Sequence, residues 1–261
     1  MKRVLRVART EVLEHRRQPS MILILLANYI LWAIVFLVII AVLGMAAETP
    51  QILAVLQQQA ASLGDCSAES ALNAMTKVSA STFGAVLFTN LPLFVAIMSG
   101  YSVLHDRSSG ALPFLMLAPL SRYQLLLGKL LGAMVIPVAL HLIFVGIATV
   151  AARQFDVLAP FDAQFGGAPA WWVAYLLGAP ASAFLVGSIG TVISGLSRDV
   201  RTSMQFTSFV IGILSLGFGF VLFDGIAHGT PFQFGFVAGA LACGLLVLLA
   251  GSKIISRDIG R

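Results

Sequence analysis

Long apolar runs, separated by short polar stretches, dominate the pattern along the chain. Six segments lack any Asp, Glu, Lys or Arg for 22 or more residues; they lie between Arg17 and Glu48, Lys77 and Asp106, Lys129 and Arg153, Asp162 and Arg198, Arg201 and Asp224, and Asp224 and Lys253. A hydrocarbon core about 30 Å thick is crossed by about 20 residues of helix. Each segment is therefore long enough to span, and the pattern predicts spans near 21–44, 80–104, 130–151, 171–194, 203–223 and 232–252. Backbone groups in lipid must pair with one another, which leaves helices or a closed barrel. Residues 21–43 are apolar without the period-two alternation of barrel strands. The fold class expected is an all-α membrane protein.

Before the first span, residues 1–19 predict an amphipathic helix ending at Pro19. At about 100° per residue, Met1, Val4, Leu5, Ala8 and Val12 share one apolar arc, with Arg6, Arg9, Arg16 and Arg17 facing away. Such a helix lies in the membrane interface. The spans then occupy residues 20–252 as one transmembrane domain, and residues 253–261 form a short tail. The connections at 45–79, 152–170 and 224–231 are too short for a separate domain of ordinary size.

Composition agrees with this class. Of 261 residues, 59% are hydrophobic and 10% charged, against about 45–50% and about 25% in soluble domains. Charge then orients the spans. One side receives 14 Lys and Arg and the other only Lys77 and Arg153, while the 11 acids divide 5 to 6. A bias confined to Lys and Arg places both termini in the cytoplasm. It also accounts for the net charge of +5, so no nucleic-acid partner is needed to explain it. The uncharged run 108–121 contains Pro113 and Pro119 and is too short to cross. It is expected to be an apolar helix or loop on the cytoplasmic side.

Catalytic and cofactor patterns are missing. The only Gly-Lys pair, Gly128-Lys129, is followed by Leu130 and preceded at the first loop position by Tyr123, so it is not a phosphate-binding loop. Cys66 and Cys243 have no metal-ligand spacing. The expected spans hold no Asp, Glu, Lys or Arg, and His141 is their one candidate proton site. A lone His on a span is more often packed than a relay, which disfavours a proton- or ion-coupled carrier and points to an energy source outside the chain. No enzyme activity, bound cofactor or metal is expected in this chain. Small residues at Gly178, Ser182, Gly187 and Thr191, and the pair Gly235 and Gly239, are candidates for close helix packing.

The segment from His105 to Lys129 reads HDRSSGALPFLMLAPLSRYQLLLGK. It resembles the corresponding segment in permease subunits of ABC-2 type transporters. Asp106 and Arg107 match an acidic-basic pair, and Gly110 and Leu112 match two positions of a Gly-Thr-Leu. Pro119, Ser121 and Arg122 match a Pro-x-Ser-Arg, and Gly128 and Lys129 match a Gly-Lys at the third span. Departures are Ala111 for Thr, Ser108 for an acid and Pro113 for Glu. Residues 224–231 also leave no room for the paired re-entrant helices of many relatives, unless the fifth span breaks near 217–219.

The resemblance implies a multi-pass protein of a bacterial inner or plasma membrane. It would work as a dimer, with a second copy or a paralogue, and with a separate ATP-binding subunit that holds ATP and Mg. Its expected task is to export a hydrophobic or amphipathic compound. The implied coupling segment, which contacts the ATPase, comprises Asp106, Arg107, Gly110, Leu112, Pro119, Ser121 and Arg122; a second cytoplasmic contact comprises Arg198, Asp199 and Arg201. A haem-exporter-like permease shares the layout. A non-transporting membrane scaffold or assembly factor fits the same spans, since topology alone does not fix function.

Overall fold

The structure, a computed structural model, describes residues 2–16, 19–48, 54, 68–111, 119–154, 169–197, 205, 209, 212–214, 217 and 229–258. Seven α-helical segments account for most of them: α1 (Lys2–Arg16), α2 (Pro19–Glu48), α3 (Ala68–Ser108), α4 (Arg122–Gln154), α5 (Pro169–Val173), α6 (Ala179–Leu196) and α7 (Thr230–Asp258). There is no strand among the described residues. The all-helical expectation is met. Of the described helices, Arg122–Val150, Ala170–Leu196 and Thr230–Ile255 are long and apolar enough to cross a membrane, and Ile22–Val35 is a shorter apolar stretch. The fifth expected span, 203–223, falls almost wholly outside the described residues, as does the connection at 155–168.

Local sequence explains where the helices begin and end. Pro19 opens α2, where its missing N–H would have no helical partner anyway. α3 starts at Ala68 rather than near residue 80. The stretch before 80 is polar but contains neither Gly nor Pro, so nothing interrupts the helix once it leaves apolar surroundings. At its far end, Ser109 donates its N–H to the carbonyl of His105 at 2.9 Å, and Gly110 turns at φ +74°. A left-handed residue just past a helix is a glycine position, because a Cβ there is strained.

α4 begins with a reciprocal cap. The Ser121 N–H donates to Gln124 Oε1 at 3.1 Å, and the Gln124 N–H to Ser121 Oγ at 3.2 Å. Two otherwise orphaned donors are satisfied, the arrangement expected of Ser-x-x-Gln before an apolar run. α5 and α6 form one continuous rod interrupted by a π-helical turn at Ala174–Gly178. There the Ala179 N–H bonds the carbonyl of Ala174, five residues back. Pro180, the second residue of α6, has no N–H to give the carbonyl four residues before it. The widened turn sits where the regular ladder loses that bond.

The core forms where α6 meets α3, α4 and α7. Close packing there depends on small residues of α6. A Cβ on Gly190 would stand 3.0 Å from the carbonyl oxygen of Ala96, and one on Gly187 would stand 2.8 Å from Val95 Cγ1. Ser194 Oγ accepts the backbone N–H of Leu104 at 2.9 Å. Gly187 and Thr191 thus pack as the sequence leads one to expect. By contrast, nothing lies within 4 Å of a Cβ on Gly235 or Gly239. The Gly-x-x-x-Gly of α7 joins no described helix of this chain.

At the π-helical turn, Trp171 and Tyr175 stack at 5.2 Å with their planes 4° apart, and Tyr175 stacks on His141 at 6.3 Å. Phe88 meets Tyr175 edge-on at 6.4 Å. His141 is fully buried. It is a packed member of an aromatic cluster.

Candidate functional site

Among the described residues, the most strongly charged interior point lies where α1 crosses α4. Gly128 and Gly132 remove two side chains from one face of α4, and the backbone of α1 fills the space. A Cβ on Gly128 would stand 3.0 Å from the carbonyl oxygen of Val4, and one on Gly132 would stand 2.8 Å from that of Ala8. Small residues four apart permit this approach. The face of α1 that docks is Val4, Ala8, Glu11 and His15. This differs from the arc read from the sequence. Val4 and Ala8 are on it, but Leu5 points outward and is 59% exposed. The docked face is displaced because it carries Glu11.

Lys129, between the two glycines, reaches Glu11. Its Nζ lies 2.8 Å from Glu11 Oε2 and 2.7 Å from Asp106 Oδ2. The same ammonium donates to the carbonyl and the hydroxyl of Ser102, each at 3.2 Å. All three charged side chains are buried, Lys129 at 3% exposure and Asp106 at 7%. One cation thus joins α1, the last turns of α3 and the second turn of α4. Away from water each ion pair is strong, and removing one partner leaves a buried charge uncompensated.

Further contacts, half-exposed at His105 and Glu14 and buried at His15, surround this centre. His105 Nε2 lies 3.1 Å from Glu14 Oε1, and His105 Nδ1 lies 3.0 Å from the Tyr101 hydroxyl. His15 Nδ1 lies 2.8 Å from the Glu11 carbonyl oxygen. Arg3 Nη1 donates to the carbonyl of Pro119. α1 is therefore tied to both ends of the chain segment that connects α3 to α4: to His105 directly and to Asp106 through Lys129 where it leaves, and to Pro119 where it returns.

The residues singled out by the sequence divide among several roles. Asp106 is inside, facing Lys129. Gly110 makes the left-handed turn that ends α3. Pro119 is exposed and accepts from Arg3. Ser121 caps α4, and Arg122 is half-buried in its first turn. Arg107 lies in α3 with its side chain outside the described residues, and Leu112 lies outside them altogether. Arg198, Asp199 and Arg201 are likewise outside; the described chain reaches Ser197, whose hydroxyl donates to the Ile193 carbonyl at 2.8 Å. Pro119 thus touches α1 directly and Asp106 joins it through Lys129, while Ser121 and Arg122 stand at the start of α4.

Sequence reasoning assigned Lys129 no role beyond its place in the motif, and it passed over Glu11 and Ser102. A signal for Glu11 was present. It stands three residues after Ala8 and seven after Val4, a carboxylate on the stripe that packs. Among the described residues no group of three His, Cys, Asp or Glu is placed to hold a metal.

Long apolar helices built around a core of small residues, with a charged cluster at one end, define a helical multi-pass membrane protein. The chain matches the family model described as ABC-2 family transporter protein over residues 5–249, and it belongs to that family. It is a membrane permease of an ABC-type transporter, the kind of component that generally works with an ATP-binding subunit. The resemblance carried by residues 105–129 is thereby borne out. No individually curated protein gives a significant match.

Proposed function

We propose that the chain is the membrane-spanning subunit of an ATP-driven exporter. It has six spans and both termini in the cytoplasm, and it pairs with a second permease and with two copies of a separate ATPase. The segment 106–122 and the stretch 198–201 meet the ATPase. The exported compound is hydrophobic or amphipathic, a class in keeping with the absence of charge from the spans expected from the sequence.

The observation that best supports this reading is the Lys129 cluster. It bonds α1, α3 and α4 on both sides of the connecting segment 109–121, so a push on that segment is delivered to three helices together. Motion transmitted through a rigid, ion-paired joint needs no hinge of its own. Asp106, being enclosed, acts in this scheme as a positioning residue that holds the connecting segment in place, while the stretch beyond it makes the contact.

Affinity purification of the intact complex tests the assignment. A subunit with a phosphate-binding loop is expected to copurify with the wild-type chain and with Lys129→Met, and to be lost in Leu112→Asp, which places a charge on the apolar contact segment. Lys129→Met is expected to retain ATP hydrolysis but to lose its stimulation by transported compounds. If no nucleotide-hydrolysing partner accompanies the wild-type chain, the scaffold reading takes the place of the exporter.

A further inference from the structure

α1 has a second long face, which the contacts with α4 leave uncovered. On a helical wheel, Leu5, Arg16, Arg9, Lys2, Leu13 and Arg6 follow one another across an arc of about 100° opposite the docked face. All six are exposed, Leu5 at 59% and Leu13 at 48%. Both acids of the helix lie on its other side, Glu11 against Lys129 and Glu14 against His105. The outer face therefore presents four cations and two leucines without a single carboxylate. None of the four cations has an ion-pair partner among the described residues.

We infer that this face binds anionic phospholipid headgroups of the leaflet at which α2 enters the membrane. Charge is the first argument. Each Lys or Arg near an anionic lipid surface strengthens binding by about fivefold, and no acid offsets the four present. Position is the second. Only residues 17 and 18 separate α1 from α2, and the exposed apolar surface of α2 begins at Leu23 and Ile24. The outer face of α1 is thus held close to headgroup depth, where leucines enter the acyl boundary and cations remain at the phosphates. Packing is the third. Val4 and Ala8, two members of the apolar arc read from the sequence, are spent against Gly128 and Gly132, so contact with the bilayer falls to the outer, basic side that carries Leu5 and Leu13. This inference stands on α1 alone and does not depend on the exporter reading.

The full-length chain, with Cys66 and Cys243 replaced by serine, would carry a fluorophore on a single cysteine at position 5, 13 or 108. It is reconstituted in vesicles of phosphatidylcholine alone or with about one-third phosphatidylglycerol, a fraction that gives a strongly anionic surface. In the anionic vesicles, labels at 5 and 13 are expected to be quenched by lipids bearing a nitroxide near the headgroup and shielded from aqueous iodide. A label at exposed Ser108 should show the reverse. Lipid quenching at 5 and 13 should fall at least threefold in zwitterionic vesicles, in about 1 M salt, where screening acts within about 3 Å, and in Lys2→Gln, Arg6→Gln, Arg9→Gln, Arg16→Gln. The salt series decides the matter if that variant fails to fold. Iodide quenching at 5 and 13 in both vesicle types would overturn the inference, as would equal lipid contact with and without anionic lipid. Shielding from both quenchers, the mark of a covering protein, would also overturn it.

Discussion

Lys129 is the residue on which the joint of α1, α3 and α4 is built. Its ammonium neutralises one of two carboxylates and is shared between them, with the Ser102 oxygens completing its shell. Lys129→Met is expected to cost about 3–5 kcal/mol, the range for breaking one side of a buried pair. Adding Glu11→Gln and Asp106→Asn should recover much of that loss, because the uncompensated charges go with the lysine. Thermal unfolding in detergent, followed by circular dichroism, checks the order: single variant least stable, triple variant between it and wild type. Equal loss in the single and triple variants would mean that packing, and not charge, holds the joint. At Ser121, alanine removes one half of the reciprocal cap and is expected to cost about 1 kcal/mol.

At the scale of elements, close approach is the governing feature, and it makes the glycines unequal. Gly190→Leu sets a side chain against the Ala96 carbonyl of α3 and is expected to destabilise the fold by about 1–3 kcal/mol or more. Gly239→Leu meets open space within the chain and should change the unfolding temperature of the isolated permease little. The two variants, compared side by side in the same detergent, separate glycines that pack α6 from those that do not. The long helices that are described were legible from charge-free runs, since a span must exclude charge over a length set by the bilayer. Their ends were less so. α3 extends back to Ala68 because helix propensity continues past the apolar region, and hydropathy does not register that extension. The docked face of α1 was legible only in part. Val4 and Ala8 fit an apolar stripe, but a stripe that contains Glu11 looks polar until Lys129 is seen opposite it. That pairing spans 118 positions, and no local pattern encodes it. The motif residues were visible as a string, while their division into a cap, a turn and a buried carboxylate required the fold.

For the whole molecule, the proposed topology places Cys66 outside the cell and the two termini within. A membrane-impermeant maleimide applied to intact cells should therefore label Cys66 and leave a cysteine added at either terminus unlabelled until the membrane is opened. The opposite pattern would invert the orientation read from the 14 basic residues on one side. Energy supply is the deeper question at this scale. Under the proposed reading the chain takes its driving force from a partner ATPase, and the Lys129 joint is what carries the motion to the helices. The decisive measurement is translocation of fluorescent amphipathic compounds across proteoliposomes that contain the permease with or without its copurified ATPase. Movement is expected only with the ATPase and ATP together, and it should fall more than tenfold in Lys129→Met. Translocation at the same rate by the permease alone, without nucleotide, would contradict the account.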